Sequence, residues 1–185
     1  MAGLPGVPMA WGVTEAEWGR RYRCDDAAKP GGLRMARGVD VEAPPERVWP
    51  WLCQLRVAPY SYDWVDNWGR RSPRTLTPAL TDLRLGQDFM TIFRLEDFVA
   101  SEQLTLSMKP GGPQRVFGAG WVTYAVTPAD VGTSRLVAML AFERRRSPLG
   151  RASNALLPWG DLLMMRHQLH TFARLAERTP TPAVG

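Results

Sequence analysis

The chain has 185 residues, 45% hydrophobic and 22% charged, with a formal net charge of +5. That length supports one compact domain whose core buries roughly 70% of the unfolded chain's surface, and the composition excludes a disordered, collagen-like or disulfide-stapled protein. Lys29 and Lys109 are the only lysines, so the basic excess is carried by arginine, the better residue for bidentate phosphate contact.

The first twelve residues carry no basic region, and Pro5 and Pro8 interrupt their apolar stretch, so a secretory signal is not expected. They read as a loose end, as does the Pro-rich tail after residue 178. No run of about 18 apolar residues is present to span a membrane. Cys24 and Cys53 are too few for a disulfide framework and lack zinc-site spacing. They read as reduced thiols of a cytoplasmic protein. No 20–50-residue repeat appears.

A first helix begins after Thr14, where Thr14 and Glu17 form a capping box, and is expected to end before Cys24. Residues 34–42 alternate, with Met35, Val39 and Val41 on one face and Arg34, Asp40 and Glu42 on the other, as in a half-buried strand. Pro44 and Pro45 start a second helix, which Pro50 should kink. Residues 60–68 place Tyr60, Trp64 and Trp68 at spacing four and are compatible with a helix. Residues 72–82 read as an ordered loop. β-Rich segments follow at 89–95, 98–108, 116–126 and 136–143, with a turn or bulge at Glu96-Asp97 and turns at 111–113 and 128–132. Short connections make this an antiparallel meander. Leu162, Met165, Leu169, Phe172 and Ala176 then form one apolar stripe on a helix starting near 154 or 158 and ending at Arg178.

An antiparallel sheet followed by one long amphipathic helix points to an α+β helix-grip fold, with a curved sheet around the C-terminal helix. The sequence also resembles the START/polyketide cyclase-like (SRPBCC) superfamily. The resemblance rests on Val39-Asp-Val-Glu-Ala-Pro-Pro-Glu-Arg-Val-Trp-Pro-Trp-Leu52, and is supported by Leu85-Gly-Gln-Asp-Phe89 and Pro158-Trp-Gly-Asp-Leu-Leu-Met-Met165. Tyr60-Ser-Tyr-Asp-Trp-Val-Asp-Asn67 is similar to a stretch in a bacterial branch of that superfamily. The match spans 34–178, leaving 1–33 as an N-terminal extension and 179–185 as a tail. It implies a fold with a hollow between sheet and helix. It does not imply one chemistry, since the superfamily includes carriers, receptors and cyclases.

Rings and methionines are the candidate lining of that hollow: Tyr62, Trp64, Trp121, Tyr124, Met90, Met164 and Met165, with Arg70 at the rim. The competing reading of each is ordinary core. Asp63, Asp66, Tyr62 and His167 are the candidate proton-transfer groups, against a solvated, salt-bridged surface. His167 and His170 lie three apart but lack further ligands, so neither metal nor other cofactor is expected. The arginines read as a solvating shell; Arg70 beside Asp66 and the 144–151 group are the two places suited to an anionic partner. Their scatter over separate elements argues against nucleic acid. The expectation is a cytoplasmic protein binding a hydrophobic small molecule, a lipid or polyketide, in an internal cavity. The alternative is a polyketide cyclase, aromatase or dehydratase using the same cavity. A homodimer is left open.

Overall fold

The computed structural model describes residues 3–62 and 71–180. Seven strands form one sheet: β1 (Ala10–Trp11), β2 (Leu33–Val41), β3 (Asp88–Phe89), β4 (Phe93–Val99), β5 (Gln103–Met108), β6 (Gly120–Pro128) and β7 (Ser134–Phe142). Their spatial order is β1-β2-β7-β6-β5-β4-β3. All pairs are antiparallel except β1 with β2, where Ala10 pairs with Ala36 and Trp11 with Arg37. The helices are α1 (Glu15–Gly19), α2 (Arg23–Ala27), α3 (Pro45–Cys53), α4 (Gly112–Phe117) and α5 (Pro148–Arg178). With α5 packed along β2 and against α3, this is the α+β helix-grip fold.

Several boundaries differ from those expected of the sequence. The first helix ends before Cys24, at Gly19, as expected, but Cys24, Asp25 and Asp26 belong to a second short helix, α2. Residues 89–95 are not one strand: Met90 and Thr91 take positive φ (45° and 62°), and this corner separates β3 from β4. Phe98 and Val99 end β4 rather than starting a strand, and the irregularity at Glu96 is a bulge between Leu95 and Asp97. Gly112–Phe117 is helical, and β6 begins only at Gly120, where an added Cβ would collide with the Phe142 ring. Helix α5 starts at Pro148, earlier than expected, with the Ser147 hydroxyl accepting from Gly150 N–H as an N-cap. Pro158 lies inside it.

The inner face of the sheet carries Met35, Val39, Val41, Leu104, Leu106, Val122, Tyr124, Leu136 and Leu140. They close on Leu169, Phe172, Ala173 and Ala176 of α5 and on Val48 and Leu52 of α3. A second, smaller core lies on the outer face. There Ala36, Ala125, Val137, Met139 and Ala141 are covered by Ala10, Val13, Tyr22 and Cys24. Residues 10–28 therefore form the back cover of the sheet, and residues 9–11 are tied in rather than loose: Ala36 N–H donates to Met9 O at 2.8 Å.

Polar groups position this cover. Cys24 N–H donates to Thr123 Oγ1 at 3.0 Å, and its thiol to Met139 O at 3.3 Å. Both cysteines are buried and unbridged, and burial pushes their thiols up, Cys24 to about 11 and Cys53 to about 12. Arg34 forks onto Asp25 at 2.7 and 3.0 Å, donates to the carbonyls of Trp18 and Arg20, and stacks over the Trp18 ring. Arg135 joins Glu17 at 2.7 Å to Asp40 at 3.1 Å. The backbone of Gly12, at φ +67°, comes so close to Gly38 that a Cβ at either would meet the other's carbonyl.

Because Arg34 anchors α1 and α2 through one partly buried fork, Arg34→Ala should destabilise the protein by about 1–3 kcal/mol, read by urea unfolding. Protease cleavage within 14–28 should accelerate in the variant. Unchanged stability would show that the cover is held by its apolar contacts.

Candidate functional site

Two polar sets interrupt the inner core, and both involve one face of α5. Asp161, Met165, Gln168 and Phe172 follow one another at spacings four, three and four, so all turn toward the sheet. Arg37 comes from β2, whose odd positions 35, 37, 39 and 41 share the inner face. Among the described residues it is the largest fully buried side chain. Its guanidinium meets Asp161 at 2.9 Å and donates to the carbonyls of Met9 (3.0 Å), Ala36 (2.9 Å) and Pro158 (3.2 Å). The expectation that the arginines form an outer shell fails at Arg37. Desolvation lowers the Arg37 pKa, and it raises the Asp161 carboxyl to about 6, more than the arginine's attraction pulls it down.

One to two turns further along α5, the Tyr124 hydroxyl donates to Gln168 Oε1 at 2.7 Å. The Gln168 amide donates to Pro59 O. Two thioethers flank the pair: Met165 Sδ lies 3.8 Å from the Tyr124 oxygen, and Met90 Sδ 3.8 Å from Gln168 Nε2. Tyr124 is 1% exposed, and burial holds its phenol far above the ordinary value, with Asp161 adding to the rise. Three expected lining residues, Met90, Tyr124 and Met165, thus meet at Gln168, a residue that the sequence does not single out.

Segment 58–62 closes this centre. Tyr60 takes φ 57°, packs its ring on Phe172 at 5.3 Å and on Trp51 at 6.3 Å, and its hydroxyl accepts from Gln54 Nε2 at 2.7 Å. Met90 N–H donates to Leu55 O at 2.8 Å. Two bulky residues in left-handed backbone, Tyr60 and Met90, bracket Gln168; such conformations persist only where surrounding structure enforces them.

The remaining expected residues lie elsewhere. Tyr62 is on the outer side of α5, stacked on His167 with centroids 4.6 Å apart. His167 therefore faces away from the interior. The two border an open groove of about 680 Å³ that also includes Asp40, Leu163, Arg166, His170 and Arg174. His170 packs edge-on against Trp11 at 5.6 Å, and its pKa is lowered by partial burial and by Arg166 and Arg174. Trp121 is on the outer face of the sheet beside the N-terminal cover, its indole donating to Glu96 at 3.0 Å, so it does not line the interior. Parity separates it from Tyr124, three residues on. Met164 is half-buried on α5. Asp63, Trp64, Asp66 and Arg70 lie outside the described residues, as does most of the segment compatible with a helix; Tyr60 and Tyr62 themselves are not helical. Among the described residues no cluster of His, Cys, Asp or Glu could hold a metal ion, and no helix is long and apolar enough to cross a membrane.

No protein-family model matches the sequence, and neither does any curated protein. Solved structures similar to the chain include a protein from Thermobifida fusca, at 22% identity over 78% of this chain and 93% of that one, with a TM-score of 0.49. The Zhui aromatase/cyclase from Streptomyces sp. R1128 is similar at 15% identity over 83% and 99%, with a TM-score of 0.48. A protein from Chromobacterium violaceum is similar at 16% over 82% and 100%, with a TM-score of 0.47. The helix-grip assignment stands on the strand order and helix placement described above.

The Asp161 carboxyl lies above the ordinary carboxylate range, so its contribution to stability is present at low pH and is lost as pH rises through about 6. Unfolding free energies of the wild type and Asp161→Asn, measured from pH 4 to 7, should diverge over that window. The wild type should lose up to about 3 kcal/mol relative to the variant. Parallel profiles would place the carboxylate in contact with solvent.

Proposed function

We propose that the protein binds a hydrophobic small molecule, of lipid or polyketide kind, between the sheet and α5, with the polar end of the ligand at Tyr124 and Gln168. The observation that carries this reading is the uncharged Tyr124–Gln168 pair set between two methionine sulfurs. A purely structural core gains little from such a pair, because each buried polar group must be fully partnered to avoid a penalty. A binding site gains orientation from it. Methionine suits an interior that opens and refills, since its unbranched thioether adapts to irregular shapes. Access would be past segment 58–62, whose Pro59 carbonyl occupies the Gln168 amide and would be replaced by an acceptor on the ligand.

A cyclase-type enzyme is the second reading, favoured by the Tyr62–His167 stack beside the same segment. In that reading Tyr62 and His167 handle protons from the outer side of the long helix, with Asp63 and Asp66, adjacent in sequence, as further candidates. Positioning alone can accelerate such ring closures strongly, so few catalytic groups are needed.

Native mass spectrometry of protein purified without detergent should show a co-purifying hydrophobic molecule. A pyrene-labelled fatty acid should bind, and Tyr124→Phe should weaken it about three- to tenfold, the size of one lost hydrogen bond, with secondary structure unchanged. No retained molecule and no probe binding would overturn the reading. The second reading requires in addition that a linear poly-β-ketone be cyclised, and that His167→Ala abolish turnover while leaving pyrene-probe affinity unchanged.

A further inference from the structure

Helix α5 turns a second apolar surface outward. Leu156, Trp159 and Leu163 are 69%, 53% and 61% exposed and follow one another at spacings three and four, so they form a stripe on the side opposite Leu162, Met165 and Leu169. Ala152 and Ala155 are exposed on the same side. A Cβ added at Gly160 would meet nothing within 4 Å, so this surface is open on that flank as well. An ordinary helix on a protein surface shows water its charged side, and this one shows it leucine and tryptophan.

At the N-terminal end of the stripe the charge is of one sign. Residues 144–160 contain four arginines and no Asp or Glu, and the first acid beyond them, Asp161, is turned inward onto Arg37. Arg144, Arg146 and Arg151 are exposed and none is in an ion pair among the described residues. At the other end Arg166 is exposed and lies over the Trp11 ring at 5.2 Å, and Arg174 continues the same side of the helix, where Asp40 and Glu177 also line the groove. Leu163 borders both the stripe and the groove these residues line.

We propose that the outer face of α5 is a docking surface for an anionic lipid bilayer. Leu156, Trp159 and Leu163 enter the boundary between headgroups and acyl chains, and Arg151 and Arg166, before and after them, meet lipid phosphates. A helix with Trp and Leu on one side and flanking arginines lies in the plane of a membrane surface, where tryptophan's amphipathic ring is favoured. A protein partner would need acidic side chains placed at both ends of an apolar ridge; an anionic bilayer presents that combination everywhere. The inference concerns the outside of α5 and does not depend on what the interior holds.

Co-sedimentation of the full chain with vesicles tests it. Binding is expected to vesicles of phosphatidylcholine mixed with phosphatidylglycerol, and to be far weaker to phosphatidylcholine alone. Each arginine near such a surface contributes ~1 kcal/mol, so Arg151→Ala and Arg166→Ala should each lower partitioning about fivefold. Trp159→Ser with Leu163→Ser should remove most binding while leaving the unfolding transition in place, because both residues are exposed. Lipids brominated along their chains should quench wild-type tryptophan fluorescence more than that of Trp159→Phe. Absence of binding to the anionic vesicles would overturn the proposal. So would equal binding to both vesicle types, or sedimentation velocity showing a dimer that the Trp159 and Leu163 substitutions dissociate, since the stripe would then serve a second copy of this chain.

Discussion

A guanidinium with no access to water needs acceptors, and Arg37 draws those of its two terminal nitrogens from three parts of the chain, while its Nε has none among the described residues. Met9 belongs to the segment leading into β1, Ala36 to β2 itself, and Pro158 and Asp161 to α5. The Met9 carbonyl accepts from both Ala36 N–H and Arg37 Nη1, so the parallel pairing of β1 and the placement of the buried charge are one arrangement. Such a pair adds little net stability, because the cost of desolvating both ions offsets their attraction. Its contribution is register. Sliding α5 by one turn would take away Asp161 and the Pro158 carbonyl, and sliding β1 by one residue the Met9 carbonyl, each leaving a buried donor to be partnered again. The raised Asp161 carboxyl records the same balance, since desolvation there outweighs the arginine's field.

With register set, the sheet can be apolar on both faces. Strand β7 is buried along nearly its whole length, and β6 almost as much. The inner residues pack on α5 and the outer ones under α1 and α2. This explains why residues 10–28 belong to the body of the fold, and why alternation is an unreliable guide in these strands. A period of two identifies a face only when the other face meets water. Val137, Met139 and Ala141 look like one half of a core beside Leu136, Ala138 and Leu140, and nothing in their spacing says that each half has its own cover. The expected interior position of Trp121 fails for this reason.

Features encoded by local chemistry are legible in the sequence. The Thr14–Glu17 capping box, the helix start at Pro45 and the bulge near Glu96 all follow from two or three neighbouring residues. So does the helix-grip order, because the apolar stripe 162–176 is continuous. The polar members of the interior are not legible in this way. Arg37 and Gln168 occupy inner positions by parity and by helical spacing, yet residue type argues for the surface, and type outweighs position until a partner is known. The usable signal is positional: an arginine midway between Met35 and Val39 on one strand face, and Asp161 and Gln168 at helical spacing from Met165 and Phe172. Polar residues that interrupt an apolar pattern in phase are the ones a core must partner, and therefore the ones able to orient a ligand.

Helix α5 differs from an ordinary amphipathic helix in what it gives to each side. Its inner face, from Asp161 to Gln168, carries charge and amide among apolar groups, while its outer face, from Ala152 to Leu163, carries leucine and tryptophan between Arg151 and Arg166. Asp161 is accounted for by Arg37, but core packing explains neither Gln168 nor the outer stripe. A helix selected only to close the sheet would place leucine at 168 and charge at 156, 159 and 163, and would be more stable for it on both counts. The polar groups inside and the apolar groups outside are both arranged along the same 20 or so residues, so one rigid element, about 1.5 Å per residue in length, carries both departures. An amphipathic ligand inside and an anionic, apolar-cored surface outside are the two environments in which this inversion lowers the free energy.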